Sequence, residues 1–261
     1  MIKATFYIES QGPDENVVKK SIDNLIESVK KEPGCTIIKA VHEDMAEEGG
    51  NYSTSVELEL EFEELQHYLI AAMRFAPYAI IFDAPSKLEL TADEFVKTIA
   101  NITAFTKVVF TKHSIRSIFS KETPEKQKNP SDYTGEEGKL TEEEIDGYMD
   151  QGAFRVKVVV QAEGDEEQAM QGLLNTLGYD VFVHKMKASK IDDKTLIAFH
   201  AFMYEPKTLA ELSIKLIPLL IELIEPGTVE LSMLQMQDMG IELASTYFEF
   251  AHLAYSNKSP S

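Results

Sequence analysis

Apolar and polar positions along the chain follow two rhythms, and the changes between them mark out its elements. KATFYIE is rich in β-branched and aromatic residues and predicts a strand that stops at the turn Gly12-Pro13. Val17, Val18, Ile22, Leu25, Ile26 and Val29 then recur at steps of three and four, the spacing of one helix face. Asp14 and Glu15 suit the first turn of that helix, where the backbone dipole favours acids, and Pro33-Gly34 follows its end. TIIKAV predicts a second strand. STSVELELEF alternates with period two, which sets Val56, Leu58, Leu60 and Phe62 on one face and Glu57, Glu59 and Glu61 on the other, so that strand has one wet side.

The same order returns later. RVKVVVQA predicts a strand, EGDEEQAMQGLLNTLG a helix with an acidic start and a glycine end, and YDVFVHKM and TLIAFHAFMY two further strands. Two longer stretches also match. RFAPYAIIFDAPSKLEL, residues 74–90, and KLIPLLIELIEPGTVEL, residues 215–231, align Pro77 with Pro218, Ile80 with Ile221, Pro85 with Pro226, Glu89 with Glu230 and Leu90 with Leu231. Each is expected to begin inside an apolar helix, about 63–83 and about 207–225, kinked or broken by its internal proline, which lacks a backbone donor. SKLEL and TVELSM then read as the fourth strands, followed by helices over about 92–110 and about 235–255.

The order βαββαβ with an added helix, written twice, resembles the ferredoxin-like α/β plait. The resemblance implies an α+β chain of two tandem ferredoxin-like repeats, 1–110 and 153–261. A polar linker, 111–152, joins them and carries Pro124, Pro130, Gly135 and Gly138. Within it, Thr141 and Glu144 stand at capping-box spacing before a short helix. The plait hosts enzymes, metabolite sensors, metal chaperones and RNA binders, so it implies a topology and no activity.

The repeats differ on their strand faces. In the first, the side away from the helices is expected to display Lys3, Thr5, Tyr7, Glu57, Glu59, Glu61, Lys87 and Glu89, a wet and mostly acidic surface. In the second, the strand from Leu196 to Tyr204 is apolar on both sides, so both are expected to be covered. The cover is the extra helix, the linker, the other repeat or a second molecule, unless the face closes a pocket for an apolar ligand. The last helix carries a stripe of Gly240, Leu243, Tyr247, Phe250 and Ala254, with Ile241, Ala244, Phe248, Ala251 and Leu253 elsewhere, and is expected to be buried nearly all round.

Composition narrows the function classes. A formal charge of -19 with no basic segment disfavours nucleic acid and anionic membranes as partners. Cys35 is the only cysteine, which excludes an internal disulfide and suits a reducing, cytoplasmic setting. The most apolar stretch, 212–224, is interrupted by Lys215, Pro218 and Glu222 and falls short of the roughly 20 residues of a membrane span. The opening residues are too polar for a signal peptide. No phosphate-binding, dinucleotide, zinc-protease, serine-hydrolase or paired-cysteine motif occurs.

The candidate ligand-binding residues are His184, His200, Tyr204 and His42. A hairpin centred on Asp192 would set His184 opposite His200, a metal-like or proton-relay geometry, but no third ligand accompanies them. No metal or other cofactor is therefore expected, with His184 and His200 the alternative metal pair. His42 stands with Glu43 and Asp44 at the end of a strand, where it could bind a cation. The pattern as a whole points to a non-enzymatic ligand-binding, regulatory or assembly module. It is expected to dimerise through the second repeat and to take a small-molecule or protein partner. The rival reading is an enzyme or metal-binding protein with its site between the repeats.

Overall fold

A computed structural model describes residues 1–113 and 128–256, with side chains as far as Glu249 in the last helix. Phe250, Ala251, Leu253 and Ala254 of the expected stripe lie outside the described side chains. The chain is a mixed α+β protein with antiparallel sheets, consistent with βαββαβ units.

It forms two compact units, one made of residues 1–88 with the chain from Glu230 onward, the other of residues 89–229. The first contains β1 (Ile2–Gly12), α1 (Glu15–Val29), β2 (Cys35–His42), β3 (Ala46–Glu48), β4 (Asn51–Phe62), α2 (Leu65–Phe75) and β5 (Ala79–Ala84). The second contains α3 (Ala92–His113), a 3-10 turn (Pro130–Tyr133), α4 (Glu142–Asp150), β7 (Phe154–Glu163), α5 (Glu166–Thr176), β8 (Phe182–Ile191), β9 (Lys194–Met203), α6 (Pro206–Leu216) and β10 (Leu220–Glu225). β6 (Lys87–Thr91) and β11 (Thr228–Ser232) span the boundaries, and α7 (Met233–Ser256) returns to the first unit.

The two main sheets share one order. In the first unit it is β2-β4-β1-β5, with β3 added beside β4, and in the second β8-β9-β7-β10. Period-two patterning sets the sides. Ile2, Ala4, Phe6 and Ile8 of β1 are buried with Val56, Leu58, Leu60 and Phe62 of β4, while Lys3, Thr5 and Tyr7 oppose Glu61, Glu59 and Glu57 on the other face. Fully burying side chains such as Phe6 or Phe62 contributes about 2 kcal/mol each. Asp14 caps α1 by accepting the Val17 N–H at 3.0 Å, and Asp165 does the same for α5 through Gln168 at 2.9 Å. The capping box before α4 forms as expected: the Glu144 carboxylate accepts the Thr141 N–H at 2.8 Å, and Thr141 Oγ1 accepts the Glu144 N–H at 3.3 Å.

The two proline stretches fold differently from the expectation. α2 and α6 do not run on through Pro77 and Pro218. They stop at Phe75 and Leu216, each closed by a left-handed residue, Ala76 at φ 43° and Ile217 at φ 45°. The next residue is the proline, which cannot donate to another turn, so no kinked helix forms. The following AIIFDA and LIELIE become β5 and β10, the fourth strands of the sheets. SKLEL and TVELSM therefore are not the fourth strands. Their cores, β6 and β11, pair with each other in a separate two-stranded ladder, beyond the cis peptides Ala84-Pro85 and Glu225-Pro226. Lys87 and Glu89 accordingly do not lie on the open face of the first sheet.

The halves of that ladder belong to different units. Lys87 pairs with Glu230 and the Met233 N–H donates to the Ser86 carbonyl at 3.0 Å in the first, while the Ala92 N–H donates to the Gly227 carbonyl at 2.9 Å in the second. The chain crosses over at this point. As a result α7 packs on α2 and β5, and α3 packs on α6 and β10, so each sheet is covered by the last helix of the other repeat.

A size match marks the first of these contacts. Tyr68 of α2, fully buried among Phe6, Phe62 and Phe82, donates its hydroxyl to the Met236 carbonyl of α7 at 3.2 Å. A Cβ added at Gly240 would stand 2.1 Å from that hydroxyl oxygen, so the helix approaches only because residue 240 has no side chain. At the repeat spacing of 141, α6 and α3 carry Leu209 and Ile99 in these places, both buried: a smaller residue on the acceptor and a larger one on the helix.

α7 is not buried all round. Met236, Met239, Gly240, Leu243, Ala244 and Thr246 face its unit, but Leu234, Ile241 and Phe248 are exposed on the opposite side. Among the described residues no helix is long and apolar enough to cross a membrane.

Candidate functional site

The units differ on the open faces of their sheets. Register defines the comparison. Lys3, Thr5 and Tyr7 face Glu61, Glu59 and Glu57 in the first sheet, and the equivalent Arg155, Lys157 and Val159 face Phe202, His200 and Ala198 in the second. Three glutamates have thus been replaced by an aromatic ring, a histidine and an alanine, and a threonine by a lysine. Beside them, Lys185 opposes His200 and Lys187 opposes Ala198 across β8, while Glu222 opposes Lys157 across β10.

β8 and β9 turn at Asp192-Asp193, and their register slips between Val183 and Lys185. His184 is the extra residue of this bulge, so it does not stand opposite His200 as a hairpin centred on Asp192 would require. The two rings still share the cationic neighbourhood of Arg155 and Lys185. Among the described residues, no group of three histidine, cysteine or acidic side chains is arranged to hold a metal ion.

His184 holds the linker. Its Nδ1 accepts the Leu140 N–H at 3.2 Å, its backbone carbonyl accepts the Lys139 N–H at 2.7 Å, and Gly138 lies against its ring. A Cβ on Gly138 would fall 2.5 Å from that ring, and its φ of 82° independently favours glycine. Lys185 Nζ donates to the Glu136 carbonyl. These contacts run the linker along β8, the outermost strand. α4 then sets Tyr148 against Phe202 and Phe182, ring centroids 5.2 Å apart in both cases. Tyr204 lies just past β9 and donates its hydroxyl to Gln151 at 3.1 Å. The linker therefore covers the Phe202 end of the face, while Leu196, Ala198 and His200 remain half-buried, so the expectation of complete cover is corrected to cover at one end.

Electrostatics follow from this crowding. Burial, with Arg155, His200 and Lys185, holds His184 below the ordinary histidine range, and burial, with Arg155, Lys157 and Lys185, does the same to His200. Arg155 packs over the Phe202 ring at 5.9 Å and pairs with Glu225 at 3.8 Å, while its Nε is buried without a hydrogen-bond partner. A histidine with a depressed folded pKa takes up a proton more readily when unfolded. Stability of the second unit should therefore fall as pH drops below about 6.5 and level off below the folded value. His184→Asn keeps an acceptor for Leu140 without the titration. Thermal unfolding from pH 8 to 5 is expected to show a shallower acid decline for the variant, and an identical slope would remove His184 as its source.

His42 belongs to the first unit. It lines a groove of about 370 Å³ with Lys19, Ile22, Asp23, Met45 and Thr54. Its neighbour Glu43 is engaged in structure: the carboxylate accepts the Ser55 hydroxyl at 2.5 Å, the backbone N–H donates to the Ser55 carbonyl at 3.0 Å, and the carbonyl accepts the Thr54 hydroxyl at 2.8 Å.

One cluster was not visible in the sequence. Glu32, after α1, has a carboxylate only 3% exposed that pairs with Arg74 of α2 at 2.5 Å, close to His67 and Cys35. Gly34, at φ 64°, lets the His67 ring lie against the backbone. Burial and the Glu32 carboxylate push the Cys35 thiol up to about 12, so it stays protonated at neutral pH. These residues come from three elements and share no spacing. Only the basic character shared by Arg74 and Lys215 at matching positions hinted at them.

A protein of Methanocaldococcus jannaschii described as "Uncharacterized protein MJ0538" is 28% identical over 268 residues, covering 99% of this chain and 100% of that protein. The match to the model of the MJ0538 family runs over residues 3–258, through both sheets, the linker and both crossing helices. The chain belongs to the MJ0538 family.

Proposed function

We propose that this chain is a non-enzymatic binding or assembly module of the cytoplasm, built by duplication of one unit, with the open face of the second sheet as its working surface. The observation that carries this reading is the replacement of Glu57, Glu59 and Glu61 by Ala198, His200 and Phe202 at matching register positions. A glutamate row needs only water. A half-buried surface of apolar, aromatic and cationic groups is suited to an acidic partner whose carboxylates or phosphates meet Arg155 and Lys157. His184 and Tyr204 serve this surface by fixing the linker at its edge, and His200 lies within it.

Native mass spectrometry of the purified full chain tests the reading. A second copy or a small anion should accompany the wild type and be lost in Arg155→Ala and Lys157→Ala. Bare monomer at every ionic strength would overturn it. So would a stoichiometric transition metal that disappears in His184→Ala, which would favour the metal-binding reading.

A further inference from the structure

The open face of the first sheet has the opposite charge to the open face of the second. On the first, Glu9, Glu57, Glu59, Glu61 and Asp83 stand against Lys3 and Lys39, five carboxylates to two ammonium groups. Lys3 pairs with Glu61 at 2.7 Å and Lys39 with Glu59 at 3.0 Å, which leaves the Glu57 and Asp83 side of the face with the surplus. On the second, Arg155, Lys157, Lys185, Lys187 and Lys194 stand against Glu163, Glu222 and Glu225, five cations to three carboxylates. The surpluses are opposite in sign.

Both faces also carry apolar surface. Tyr78 is 60% exposed and Ile81 49% exposed at the β5 edge of the first, and on the β10 side of the second Leu219, which matches Tyr78 at the repeat spacing, and Leu220 are 54% and 46% exposed. Sheets with such faces stack about 10 Å apart through interleaved side chains.

We propose that the partner of the second sheet's open face is the acidic open face of the first sheet in a second copy of this chain. The inference rests on the working surface assigned above and names its occupant. Each chain carries one face of each sign, so a dimer is the smallest assembly that satisfies both pairs. Opposite surpluses orient the pairing and oppose the like-with-like alternatives, basic face on basic face and acidic on acidic.

The experiment is a charge exchange read by light scattering at about 50 mM and about 500 mM salt, across which surface charge pairs are progressively screened. The wild type is expected to be a dimer that weakens at the higher salt. Glu59→Lys and Lys157→Glu should each weaken association about tenfold or more, with circular dichroism and melting temperature showing both variants folded. An equimolar mixture of the two variants should dimerise again, because the charges at positions 59 and 157 are then exchanged, and so opposite once more, across one contact while the second contact is unaltered. Folded variants whose mixture stays monomeric would overturn the inference, as would a dimer lost in Lys157→Glu but kept in Glu59→Lys. That last result leaves the working surface standing with a different occupant. A monomeric wild type that carries a small anion lost in Arg155→Ala would do the same.

Discussion

Replacing Gly240 by isoleucine is expected to destabilise the first unit by about 3 kcal/mol, although isoleucine is a better helix former than glycine. The reason is distance. The first atom of any side chain at this position would meet the Tyr68 hydroxyl at 2.1 Å and the Ile80 side chain at 3.2 Å, inside a fully buried aromatic cluster with no room to yield. Tyr68→Leu alone should also cost about 2–3 kcal/mol, through the lost ring volume and the lost bond to the Met236 carbonyl. The double variant Tyr68→Leu/Gly240→Ile rebuilds the pairing found as Leu209 with Ile99. It should recover about 2 kcal/mol of the summed losses when the four proteins are compared by urea unfolding. Additive losses would show that the two positions do not constrain each other.

Arg74→Met is expected to cost about 2–3 kcal/mol. It leaves the Glu32 carboxylate, 3% exposed, without its cation; the loss is smaller than for a wholly buried pair because the Arg74 side chain is 44% exposed. Burial already raises the Glu32 pKa, against the lowering influence of Arg74. Such a group contributes stability below its unfolded pKa, about 4.3, and loses it as pH rises through the folded value. Without Arg74 the folded value rises further. The deficit should therefore be largest near neutral pH and shrink towards pH 4. Glu32→Gln in the same background should restore most of the loss, and a deficit that ignores pH would place the cause elsewhere.

The sequence showed the strands and the duplication because both are written in local patterns. The alternation from Val56 to Phe62 defines β4 and its wet face, and shared prolines define the 141-residue spacing. What it hid depended on contacts far along the chain. Apolar AIIFDA is too short for its period to separate strand from helix, and it is the left-handed turn at Ala76 before Pro77 that ends α2 and makes β5 a strand. The bulge at His184 moves a whole register by one residue without any glycine to announce it. Glu32 and Arg74, 42 positions apart, carry no mark of their pairing. Of the candidate site, the change of face chemistry was legible and the linker's hold on His184 was not.

The crossing of the chain between β6 and β11 also sets an order of synthesis. Residues 89–229 form an uninterrupted segment, so everything the second unit requires has been made before Glu230 is added. The first unit, although most of it precedes the second, lacks the helix that covers Tyr68 until α7 emerges. N-terminal domains ordinarily complete themselves first during translation. Here the unit that starts first must wait for α7, which follows the whole of the second unit in the chain, before Tyr68 is covered.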